Sequence, residues 1–233
     1  MFRRVRIEYD TDPSNPREDS DCYIGTMTCW HGRYTLGDEQ PTCEPLEEKQ
    51  ALASGVDDKL DERVERIEEK WDKRYPAYNC PVEELRQWHK DKEAEVEAAI
   101  ERVLEKHYFI LPLYLYDHSG ITMNTTGFSC GWDSGQVGFI YAKKSEAAEA
   151  LQVKRWTKKQ VQRVEDILRG EVETYDHYLT GAVFGYICEE RADEDDEWEE
   201  KDSCWGFYGY DHEKSGLVDN LPDEFKYVDR EEP

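Results

Sequence analysis

The sequence predicts an α+β protein with a mostly antiparallel sheet, packed helices and an acidic helical hairpin. Three observations predict it. Short alternating or β-prone segments recur from Val5 to Tyr210. Two long stretches, 56–107 and 157–179, repeat apolar residues every three or four positions. Strands and helices then follow one another without a regular strand–helix–strand rhythm, which favours an antiparallel sheet over a parallel one.

Val5-Arg6-Ile7-Glu8-Tyr9 alternates apolar and polar, as a half-buried strand does. A turn-rich loop with Pro13 and Pro16 leads to a second strand region, Cys22 to Tyr34. Turn residues from Leu36 to Pro45 close it. Val56, Leu60, Val64, Ile67 and Trp71 share one helix face. Tyr75 to Pro81 breaks that helix, and Pro81 suits the first turn of the next. Val82, Leu85, Val96, Ile100, Val103 and Leu104 mark the second helix, so 56–107 is an antiparallel hairpin inserted in a single domain, 1–233. Such a hairpin either packs on the sheet or projects from it.

Tyr108 to Tyr116 is apolar on both faces and belongs inside a sheet. Pro112 demands an edge or a bulge there, because proline cannot donate to the ladder. A polar loop from His118 to Gly135 precedes a strand at 136–142. Ser145 is placed to cap a short helix and Thr157 a longer one. The longer helix buries Val161, Val164, Leu168, Val172, Tyr175 and Leu179 and ends at Gly181. Strands at 182–189 and 203–210 flank an acidic connector, 190–202, dense enough in like charge to repel itself and move. A short helix after Pro222 and a frayed tail complete the chain.

Asp plus Glu number 54 against 30 Lys plus Arg, a formal charge of -24. Phosphate backbones repel such a surface, so no direct nucleic-acid contact is expected. The basic exceptions, Phe2 to Arg6 and Lys154 to Lys159, are short and read as solvated strand or helix ends. The 15 Lys match the 15 Arg, which speaks against a halophilic origin and leaves solubility or attraction of basic partners. Seven cysteines without a C-x-x-C fit neither a zinc ribbon nor a disulfide scaffold. No signal peptide and no membrane-length apolar run occurs, so a reduced, cytoplasmic protein without membrane contact is expected.

Tyr-Asp-His occurs three times, at 116–118, 175–177 and 210–212, and takes up half of the 6 histidines. The contexts differ: a strand end, a helix and a strand exit. Asp117, His118, Asp211 and His212 would converge at one sheet end as metal ligands or acid–base groups. The competing reading makes each Asp a turn cap and each His a backbone partner. Cys29-Trp30-His31 offers a thiol two residues from an imidazole, but a nucleophile also needs a base oriented by a third group. Gly131 to Phe139 holds an Asp133-Ser134-Gly135 turn, and Gly138 within a strand signals close approach of a backbone or a ligand. P-loop, metalloprotease and nucleophile-elbow motifs do not occur.

"GTMTCWHGRYTLGD" (25–38), "LPLYLYDHSG" (111–120) and "WDSGQVGFIY" (132–141) resemble a family of uncharacterised bacteriophage and prophage proteins. The resemblance implies a mobile-element origin, with no activity attached. It also implies that 25–38 and 111–141 form one site with His31, Asp38, Asp117, His118 and Asp133 as polar members. Three functions follow as expectations. The first is an acidic phage accessory protein that inhibits a host defence or nucleic-acid-binding factor, its partner a protein with a basic surface. The second is a metal-dependent hydrolase using His31, Asp117, His118 and Asp133, with a divalent metal as cofactor. The third is a small-ligand binder using Trp30, Asp38, Trp132, Ser134, Gly135 and Gln136. Identity of the metal and the oligomeric state are open at this level.

Overall fold

The structure, a computed structural model, describes residues 1–18 and 23–233, so the start of the strand region expected from Cys22 lies outside the described residues. In chain order the first elements are β1 (Phe2–Tyr9), β2 (Thr26–Cys29), α1 (Pro45–Ser54), α2 (Leu60–Asp72), α3 (Val82–His107), β3 (Tyr108–Asp117) and β4 (Ile121–Asn124). Then follow β5 (Ser134–Lys143), α4 (Lys144–Ala150), α5 (Lys158–Thr180), β6 (Val183–Arg191), β7 (Glu199–Tyr208), α6 (Leu217–Asn220) and β8 (Arg230–Glu231). The fold is α+β, with one sheet in the order β7-β6-β1-β8 and another in the order β2-β5-β3-β4. β1–β6, β6–β7, β2–β5 and β3–β4 pair antiparallel; the parallel β1–β8 contact spans two residues.

Contacts divide the chain into two compact units, the first made of 1–23, 113–136 and 169–233 and the second of 24–112 and 137–168. In the first unit Val5 and Ile7 of β1, Phe184, Tyr186 and Cys188 of β6, and Phe207 of β7 point to one face. Leu217, Leu221 and Phe225 cover that face. The tail is therefore packed rather than frayed as far as Val228, because its apolar residues close the sheet. Its short helix stands before Pro222, not after it, since Gly216 at φ 80° starts a turn of helix that Pro222 cannot extend.

In the second unit the helical hairpin is real and gains a third member. Ala53 of α1, Leu60 and Val64 of α2, and Val96, Ile100, Val103 and Leu104 of α3 make one core with Tyr108 at the head of β3. The base of the hairpin thus packs on its own unit. Helix α1 fills a stretch to which the sequence reading gave no element; Pro45, read as the end of a turn, opens it as a first-turn proline. At the far end Trp71, Tyr75 and Trp88 stack edge-to-face, with centroids 6.2 and 5.0 Å from Trp88.

Several local expectations hold for the stated reasons. Thr157 and Gln160 form a reciprocal cap: Gln160 Oε1 accepts from the Thr157 N–H at 2.9 Å. Gly181 takes φ 74° at the end of α5. A Cβ on Gly138 would lie 2.0 Å from the Thr28 carbonyl, so the close neighbour is the β2 backbone. Pro112 sits in an internal strand, yet β4 pairs with β3 only from Tyr114 to Asp117, and the ladder ends before the proline. Ser145 lies inside α4, whose cap is Lys143.

Candidate functional site

The acidity is not spread evenly. Residues 189–233 hold 18 acidic against 5 basic side chains, a net of -13 out of -24. The helical hairpin at 56–107 carries 16 against 11. There some of the charges pair with each other, as in Lys70–Glu95 at 2.6 Å, Lys92–Asp72 at 3.0 Å and Arg63–Asp57 at 2.9 Å.

The connector at 190–202 is mostly strand ends and the turn between them. It is the end of a β6–β7 hairpin whose register sets Glu189 against Glu200 and Glu190 against Glu199. Like charges across a ladder repel, so cations must offset them. They come from the basic strand β1: Arg4 and Arg6 reach Glu189 at 2.6 and 3.0 Å, and Arg3 reaches Glu190 at 2.6 Å. The N-terminal arginines read as solvated cations are therefore committed to this hairpin. Burial of Glu189 pushes its carboxyl up, but hydrogen bonds from Arg4 and Arg6 outweigh that and hold it below the usual carboxylate range. Trp198 lies 4.4 Å from the Arg4 guanidinium and 4.6 Å from that of Arg191. The turn itself is closed by Asp193 and Asp196, with Asp193 N–H donating to Asp196 Oδ2 at 3.0 Å. Asp193 to Glu197 stay exposed, and a cavity of about 430 Å³ lies beside them between Met1 and Lys201. At Glu189 and Glu190 the counter-charges arrive from a neighbouring strand, which spacing along the chain does not reveal.

The residues predicted from the matching blocks fall into the two units. In the second unit, Asp38 Oδ2 accepts from the Met27 N–H at 2.7 Å and Trp30 Nε1 donates to the Cys43 carbonyl at 2.8 Å. Both hold the β2 segment in place. His31 Nδ1 accepts from the Arg33 and Tyr34 amides, and its ring stacks on Tyr34 at 5.0 Å. That nitrogen is given to the turn rather than to the Cys29 thiol. The same loop lines an open depression of about 560 Å³.

In the first unit, His118 Nδ1 stands 3.4 Å from Asp133 Oδ2, and the Asp117 N–H donates to the Asp133 carbonyl at 2.8 Å. Cys130 Sγ is 3.8 Å from the same Asp133 oxygen, and Ser134 Oγ donates to the Cys130 carbonyl. Ser119 adopts φ 61° in the turn that brings His118 over. Tyr116 and His118 do share a side, their rings 6.1 Å apart. Asp117, His118, Asp133 and Ser134 are thus neighbours. The pair is open to water, with His118 64% and Asp133 41% exposed. Trp132 is fully exposed, and Gly135 and Gln136, the second and third residues of β5, are exposed. Among the described residues no three His, Cys, Asp or Glu side chains are grouped to hold a metal ion.

Comparison with protein-family models, with curated proteins and with solved structures returned no match. Among the described residues no helix is long and apolar enough to cross a membrane.

Proposed function

We propose that this chain is a phage-type acidic accessory protein that binds and inhibits a host defence or nucleic-acid-binding factor in the cytoplasm. The observation that carries the reading is the β6–β7 hairpin. Its carboxylates are held out on a clamped turn rather than on a loose one, so a basic partner meets them with less ordering entropy to lose. Commitment of Arg3, Arg4 and Arg6 to Glu189 and Glu190 supports a protein partner in place of nucleic acid. The resemblance of 25–38 and 111–141 to phage proteins supports the host setting. The hydrolytic alternative draws on the His118–Asp133 pair, but that pair is exposed to water and comes second.

The test neutralises the turn. Glu194→Gln, Asp195→Asn, Asp196→Asn and Glu197→Gln together remove four charges from side chains that are exposed. Immobilised wild-type protein should retain a basic host protein from a bacterial lysate, and the four-fold variant should lose it while its thermal midpoint stays unchanged. Equal retention by both proteins would show that the β6–β7 turn does not bind the partner.

A further inference from the structure

We draw no further inference here: the strongest candidate, the exposed aromatic turn between α2 and α3 at Tyr75 and Tyr78, rests on side chains open to water, and nothing in the structure shows what covers them.

Discussion

Glu189→Ala should destabilise the protein by about 2 kcal/mol, because it strands the partly buried Arg4 guanidinium and leaves Arg6 with Glu8 alone. Arg4 and Arg6 both reach Glu189, itself only 7% exposed; Arg6 also pairs with Glu8, and Arg4 also braces Trp198. Chemical denaturation of wild type and variant measures the loss. Glu200→Ala, across the ladder but exposed, should cost within about 0.5 kcal/mol. Equal costs at both positions would mean that the arginines find water as readily as they find Glu189. The pair also sets a pH dependence. Glu189 has a folded value held below its unfolded one, so its contribution is complete above the unfolded carboxylate range. It is lost as pH falls through the lower, folded value. Wild-type stability should therefore fall on acidification below about pH 4, and the difference between wild type and Glu189→Ala should shrink with it.

Gly138→Ala should lower the thermal midpoint by roughly 6–12 °C, the equivalent of about 3 kcal/mol in a chain of this size. The added carbon would sit 2.0 Å from the Thr28 carbonyl and 3.0 Å from Cys29 Cα, both backbone atoms of β2. Neither can turn aside as a side chain would. β2 pairs with β5 over only four residues, so relief comes by losing that pairing. Gly135→Ala is the control: nothing lies within 4 Å of its added carbon, and its midpoint should not move. A Gly138→Ala protein that melts like wild type would place β2 elsewhere.

Local physics made much of this fold legible. The apolar stripe of α5 and its Thr157 cap depend on neighbours three or four residues away, and both stand where spacing puts them. The break at 75–81 and the glycines at 138 and 181 were readable for the same reason. What spacing missed depends on distant partners. Glu189 and Glu190, at the foot of the acidic connector, are partnered by Arg3, Arg4 and Arg6, more than 180 residues away in sequence. β4 was hidden in a polar loop because its edge is held by Asp176 from α5. Of the candidate site, the neighbours Asp117, His118 and Asp133 were named from the chain alone. Trp30, His31 and Asp38 proved to serve their own turn. His177 of the second Tyr-Asp-His triplet and Asp211 of the third line one depression, which was not foreseen, since one sits on a helix and the other beyond a strand.

The central claim is that clamped carboxylates at the β6–β7 turn engage a basic protein. The most direct measurement is the affinity of this chain for its captured partner between about 50 and 300 mM salt, a range over which the screening length falls by more than half. The account predicts a steep loss of affinity with salt in the wild type and a nearly flat dependence in the variant neutralised at 194–197. A wild-type affinity that does not change with salt would contradict it.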